Sequence, residues 1–217
     1  MGSVENEFRS SPLALAVLSL LHAAPLHPYG IQRLLKQWGK DHVVNVGQRA
    51  NLYKTIRRLD QAGLIAVRQT ERDQQYPERT VYELTEAGRQ ATQAWLSQML
   101  AGPRNEFPQF PAALSFVMLL SPADAAAVLD QRAAAIRGEL TSLEATLAEV
   151  AFLPRIVLID DEYQRAMYVA ELAWLDSLTA ELRSGSLTWS DKDFAGLAGN
   201  IQPGGEQDDG ATGISAD

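Results

Sequence analysis

The chain has 217 residues, 46% of them hydrophobic, with a formal net charge of −8 and no cysteine. This length suits one large domain or two small ones with a real core, and the missing thiols exclude disulfides and thiol nucleophiles. The charge is uneven: residues 1–100 hold 12 Lys and Arg against 9 Asp and Glu, residues 101–217 hold 7 against 18, and residues 33–58 hold 7 against 1. A local basic patch is the footprint a polyanion meets, whatever the whole-chain value. The acidic second half should discourage non-specific binding to nucleic acid.

Residues 1–10 are polar and expected to be loose. Ser11-Pro12 opens a helix, with Ser at the cap and Pro at the first position. Leu13 to Leu21 is apolar on nearly every side, which implies burial on two faces, one against its own domain and one against a partner subunit. Leu13, Val17 and Leu20 are the residues expected at that partner. Nine apolar residues cannot span a bilayer. Acids precede them and no cleavage site follows, so a cytoplasmic chain is expected. A second helix is predicted over 29–38, with Ile31, Leu34, Leu35 and Trp38 inward and Arg33, Lys36 and Lys40 elsewhere. Gly39 ends it, and 41–47 link it to the next element.

Gln48 to Ala62 reads as one amphipathic helix. Leu52, Ile56 and Leu59 share a face, with Arg49, Tyr53, Lys54, Arg57 and Arg58 around the rest. Gly63 stands where a left-handed residue usually closes a helix. Two strand-like runs follow, 64–68 and 80–84, joined by a polar segment carrying Arg72 and Arg79. Thr85 is placed to cap a further helix to about Leu100, with Leu84, Ala91, Trp95 and Met99 inward. A basic helix followed by a charged two-stranded ribbon is the layout of a winged helix-turn-helix, which puts the helix in a major groove and the ribbon tip along the backbone or minor groove.

Ala101-Gly102-Pro103 is the best domain boundary. Beyond it the pattern is helical. Residues 107–120 form a short helix or two. Ser121-Pro122-Ala123-Asp124 starts a long helix whose Leu129, Ile136, Leu140, Leu143, Leu147 and Val150 make a heptad seam. Pro154 breaks it. A second long helix is predicted over about 160–183, with Asp160, Asp161 and Glu162 at its positive end and Tyr163, Met167, Ala170, Trp174, Leu178 and Leu182 as its inner stripe. Such a hairpin cannot bury both faces alone. Residues 196–217 are Gly- and Asp-rich and expected to be disordered. The expected organisation is therefore a loose 1–10, a winged domain over 11–102, a helical dimerisation and effector domain over 103–190, and a tail over 191–217. The fold class is mainly α with a small two-stranded β wing.

Leu52-Tyr53, Ile56, Arg58-Leu59 and Gly63-Leu64-Ile65 carry a resemblance. So do residues 77–89, from Pro77 through Thr85-Glu86-Ala87-Gly88 to Arg89, and the helix opening His27-Pro28-Tyr29-Gly30. Over roughly 12–100 the chain resembles the PadR family (phenolic-acid-decarboxylase regulators) of bacterial transcription factors, in its longer form with a C-terminal helical dimerisation domain. It departs from the family at Gln48-Arg49-Ala50, where Ser-Pro-Gly is common, at Lys54, where Pro is common, and at the wing tip, Tyr76-Pro77-Glu78-Arg79. The resemblance implies a homodimer, a palindromic operator, mostly repression, and sometimes a small aromatic or amphipathic effector.

Gln48, Arg49, Asn51 and Lys54 occupy the first turns of the recognition helix, where base edges are read. Arg suits guanine, and Asn or Gln suits adenine. Tyr53 reads as a phosphate contact or as a core ring. Arg57, Arg33, Lys36, Arg72 and Arg79 are candidate backbone or minor-groove contacts. Leu129, Ile136, Leu140, Leu143 and Leu147, with Trp174 and Leu178, are expected dimer contacts. Tyr163, Met167, Tyr168 and Trp174 read either as an effector pocket between the hairpin and the first helix or as plain core. His22, His27 and His42 lack the spacing of a metal site. There is neither a Gly-x-Ser-x-Gly elbow nor a phosphate-binding glycine loop. No enzyme, metal or cofactor is expected. The expected function is a dimeric, DNA-binding transcriptional regulator, a repressor released by an effector. The alternative is a winged-helix interaction or sensor module without operator binding.

Overall fold

The computed structural model describes residues 10–40, 44, 49–71, 79–103, 106–190 and 193. The chain divides into two compact units, Met1–Asn105 and Glu106–Asp217. Gln48, Arg72, His42, the wing tip and the 196–217 tail lie outside the described residues.

In the first unit α1 spans Pro12–Ala23, α2 Pro28–Gln37, α3 Arg49–Gln61 and α4 Glu86–Ala101, with β1 at Ile65–Glu71 and β2 at Arg79–Leu84. The Ser11 side chain accepts from the Ala14 amide, and Pro12 sits in the first turn of α1. The core is built from Ala14, Val17, Leu18 and Leu21 of α1, Ile31 and Leu35 of α2, Leu52, Ile56 and Leu59 of α3, and Ile65 and Leu84 of the strands. Val17 and Leu20 were expected to face a partner. They are 0% and 5% exposed within this unit, so its own core accounts for them, and Leu13 is half-buried. Trp38, expected inward, is 54% exposed: α2 stops at Gln37 and Gly39 turns away at φ +64°, so the Trp38 ring lies past the last core layer.

The two strands run antiparallel, with Ile65 opposite Leu84 and Val67 opposite Tyr82. A register shift between Val67 and Gln69 leaves Arg68 as the extra residue of a bulge, which increases local twist. Both strands reach further than the sequence pattern predicts, to Glu71 and Arg79. A third, one-residue partner joins them: Leu26 and Tyr82 exchange two backbone hydrogen bonds of 3.0 Å. A single bridging residue between Pro25 and Pro28 has no periodicity for a sequence reading to detect.

The junctions around the sheet are tight. At the end of α3 the Leu64 amide donates to the Leu59 carbonyl and the Gly63 amide to the Asp60 carbonyl. With Gly63 at φ +70° this is a Schellman closure. The Thr85 hydroxyl accepts from the Gly88 amide at 3.0 Å, capping α4. It donates to the Gly63 carbonyl at 2.7 Å, with the Leu64 carbonyl at 3.0 Å. Gly88 is buried, and a Cβ there would lie 2.0 Å from the Leu64 carbonyl oxygen. Thr85-Glu86-Ala87-Gly88 thus clamps the start of α4 onto the turn that ends α3.

In the second unit α5 spans Gln109–Leu114, α6 Pro122–Glu149 and α7 Ile159–Ser184, with short 3-10 turns at Val117–Leu119 and Arg155–Val157. Ser121 caps α6 by accepting from the Asp124 amide at 3.1 Å. The α6 seam packs on α7 within the same chain. Ala125, Leu129, Ala133 and Ile136 are buried there, and Leu140, Leu143, Leu147 and Val150 are half-buried. Four ion pairs bridge the two helices: Arg132–Glu171, Arg137–Asp176, Arg165–Glu144 and Arg183–Asp130. Their partial exposure limits each to about 1 kcal/mol or less.

The predicted inner stripe of α7 needs correction. Tyr163, Met167, Ala170 and Trp174 are exposed. Leu178 and Leu182 of that stripe do pack against α6, and the rest of the face is Leu175 and Thr179, flanked by Tyr168 and Leu172. Thr179 can join an apolar face because its hydroxyl donates to the Leu175 carbonyl at 2.9 Å. Read as polar, it hides the true stripe. Among the described residues no helix is long and apolar enough to cross a membrane.

Candidate nucleic-acid interface

Helix α3 is anchored by Leu52, Ile56 and Leu59, which are 0%, 1% and 0% exposed. Three buried aliphatic anchors leave it little freedom to rotate. At 100° per residue, Lys54 and Arg57 fall roughly opposite that buried stripe, Arg49 and Tyr53 line one flank, and Asn51 lines the other. All five are exposed. Arg49, Lys54 and Arg57 have no carboxylate partner among the described residues, so their charge is available to an incoming anion. Tyr53 is 41% exposed and therefore not the core ring that was one reading of it.

α2 precedes this helix and packs on it. Its Arg33 and Lys36 are exposed, as is Tyr29. Sequence reasoning left Tyr29 out. The signal was its spacing, four residues before Arg33 and seven before Lys36, which places all three on one face. His27 serves as the helix cap, its Nδ1 accepting from the Tyr29 amide at 3.1 Å.

Tyr82 on β2 lies within electrostatic reach of α3. Burial pushes its phenol above the usual tyrosine range; the Asp60 carboxylate adds to this and the Arg57 guanidinium opposes it. A tyrosine on β2 thus shares a local field with two side chains of α3. Across the sheet, Arg68 pairs with Glu83 at 3.7 Å. The Arg79 side chain, expected at the DNA backbone, lies outside the described residues.

The remaining expected sites fall in the second unit. Leu129 and Ile136 are buried against α7, while Tyr163 and Met167 stand exposed at 66% and 47%. Trp174 is 45% exposed and meets the Phe110 ring edge-on at 6.2 Å. A cavity of about 580 Å³ lies between Ser121, Ala126, Asp130, Leu182 and Arg183. Tyr163, Met167, Tyr168 and Trp174 do not line it. Among the described residues no three His, Asp or Glu side chains gather as a metal site needs.

Residues 17–94 match the model of the transcriptional regulator PadR-like family. The chain carries a PadR-like transcriptional regulator domain. Its Thr85–Gly88 clamp and the whole of α3 fall inside the matched stretch. Solved structures share the fold over most of the chain. Bacillus subtilis PadR in complex with operator DNA is 20% identical with a TM-score of 0.66, covering 79% of this chain and 99% of that one. The same protein in complex with p-coumaric acid is 19% identical with a TM-score of 0.65, covering 79% and 98%. The Vibrio cholerae virulence activator AphA is 20% identical with a TM-score of 0.59, covering 79% and 98%. At this identity the likeness is one of fold. No curated protein matches the sequence.

Proposed function

We propose that this chain is a dimeric regulator that represses by occupying a palindromic operator. Each subunit reads one half-site with α3, the two helices entering successive major grooves about 34–36 Å apart. The observation that carries the reading is the set of cations Arg49, Lys54 and Arg57, unpaired among the described residues, on a helix held by three fully buried anchors. Arg49, with Gln48 and Asn51, reads base edges. Tyr53, Arg57, Arg72 and Arg79 hold the backbone. The test is a titration of the purified protein against a duplex from its own upstream region, beside an unrelated duplex, at several salt concentrations. Saturable, salt-steep binding that prefers the upstream duplex is expected. A folded protein that binds neither duplex would overturn the regulator reading in favour of a winged-helix interaction module.

The dimer reading moves from the α6 seam, which α7 covers, to the exposed face of α7. Tyr163, Met167, Ala170 and Trp174 follow one another at four, three and four residues and form a continuous apolar face, continued at the hairpin turn by Ile156 at 72% exposed. A second copy of the chain is its proposed occupant. Sedimentation at micromolar concentration should give a dimer for the native chain and a monomer for Tyr163→Glu/Met167→Glu, with helix content unchanged because both residues are exposed. A monomeric native chain sinks the two-half-site mechanism.

Likeness to the p-coumaric acid complex extends the proposal to a small aromatic effector. Such a ligand can release DNA only by its difference in affinity for the two states. p-Coumaric acid itself is the probe. DNA affinity unchanged at saturating probe removes this arm alone.

A further inference from the structure

We infer that the notch holding Trp189, at the open end of the α6–α7 hairpin, is a binding site for a flat, uncharged aromatic molecule with one N–H donor, occupied in this chain by its own indole. α7 ends at Ser184, and Gly185 at φ +75° turns the chain back. The Leu187 amide donates to the Glu181 carbonyl at 3.2 Å, and the Ser184 and Ser186 hydroxyls donate to the same oxygen at 3.0 and 3.3 Å. From Thr188 to Ser190 the backbone is neither helix nor strand. Trp189 is held through its side chain. Its ring packs against the buried cluster that includes Ala125, Leu129 and Leu182. Its Nε1 donates to the Leu120 carbonyl at 2.9 Å, across 69 residues of chain. Helix α6 begins its own ladder at the Ser121 carbonyl, which takes the Ala125 amide at 2.8 Å, so the Leu120 carbonyl just before it is left for a side-chain donor.

The notch borders the cavity of about 580 Å³. Ser121 of the cavity wall follows the Leu120 acceptor, and Ala126 and Leu182 belong both to that wall and to the cluster under Trp189. The wall is small and apolar at Pro122, Ala126 and Leu182, and its two charges, Arg183 and Asp130, are paired with each other. No charge is left to be neutralised there, which selects an uncharged ligand over an ion. A side chain on a short tether competes at a millimolar effective concentration. A free ligand offering only an indole must therefore reach that range, and one that also fills the cavity gains further apolar contact.

The experiment uses the full chain without DNA, and indole as the probe, in ligand-observed NMR titrations. Trp189→Ala empties the notch, and indole should bind this variant with a Kd of about 1 mM, an affinity within reach of so small a molecule. N-methylindole, which keeps the ring and lacks the donor, should bind about fivefold more weakly, the contribution of one neutral hydrogen bond. In the native chain Trp189 competes, so the apparent Kd for indole should be about tenfold higher than in Trp189→Ala. Trp189→Phe supplies a second arm that does not depend on an emptied notch. Its ring is a weaker occupant without the donor, so indole should bind it about fivefold more tightly than the native chain. Circular dichroism checks that both variants keep their helix content. Equal indole affinity for all three chains places the binding elsewhere and overturns the site, as does a folded Trp189→Ala that binds no indole. Equal binding of indole and N-methylindole to Trp189→Ala overturns the Leu120 carbonyl as the recognising acceptor. None of these results touches the regulator reading, which stands or falls on DNA affinity.

Discussion

Arg49→Ala/Lys54→Ala should reduce affinity for the upstream duplex by at least about a hundredfold and leave the melting temperature unchanged. A good side-chain contact to a base edge contributes about 1–3 kcal/mol of discrimination, and a dimer presents two copies of each residue. Both side chains are exposed on α3 and unpaired among the described residues, so their removal opens no cavity and strands no buried charge. The two cations also differ in kind. Arg49, in the first turn, is placed to choose a base, so its loss should relax sequence preference. Lys54, on the face opposite the anchors, is a compact charge whose loss should weaken all duplexes alike. Binding by the double variant within twofold of native would place the reading head elsewhere.

Gly88→Ala is expected to be the most damaging single methyl in the first unit. The new Cβ would stand 2.0 Å from the Leu64 carbonyl oxygen and 2.7 Å from Leu84 Cδ1. The nearest atom is backbone, so no rotamer change relieves the contact, and α4 must lift from the turn that closes α3. That movement also loosens the Thr85 hydrogen bonds to Gly63 and Leu64. Forced overpacking together with a damaged cap should cost about 3 kcal/mol, which lowers the melting temperature of a unit this size by roughly 10–20 °C. Thermal denaturation followed by circular dichroism reads it directly. Gly138→Ala is the control. It lies in the middle of α6 with nothing within 4 Å of the added methyl, so helix propensity alone applies and stability should rise by up to about 1 kcal/mol. Equal melting points for Gly88→Ala and the native chain would refute the close approach.

The two variants probe features of different legibility. The α3 anchors were readable because Leu52, Ile56 and Leu59 follow helical spacing and the cations avoid that spacing. Gly63 and Thr85 were readable as a helix stop and a helix start. That they meet, with the Thr85 hydroxyl on the Gly63 carbonyl at 2.7 Å across 22 residues of chain, was not. Nor was Gly88, whose glycine is required by a neighbour distant in sequence rather than by its own φ. Among the candidate site residues, Arg49, Asn51, Lys54 and Arg57 were legible through the helix they sit on. Tyr29 was passed over because a single aromatic near a helix start looks like core until its exposure is known.

The sequence by itself therefore determined the main local elements and the family likeness: which stretches are helix or strand, where the capped helices begin, and that a basic amphipathic helix precedes a two-stranded wing. These follow from periodicity and capping, whose interactions span only a few residues. Only the tertiary structure decided which apolar stripe the first two-thirds of α7 buries. On α7 the Tyr163-Met167-Trp174 stripe and the Leu175-Thr179-Leu182 stripe both repeat at helical spacing, and the second includes a hydroxyl. Burial by α6 selected the second, because its side chains interlock with Leu129, Ala133 and Ile136 and Thr179 satisfies its own hydroxyl on the Leu175 carbonyl. That choice depends on a surface contributed by residues some forty positions away, and it leaves the larger aromatic stripe exposed.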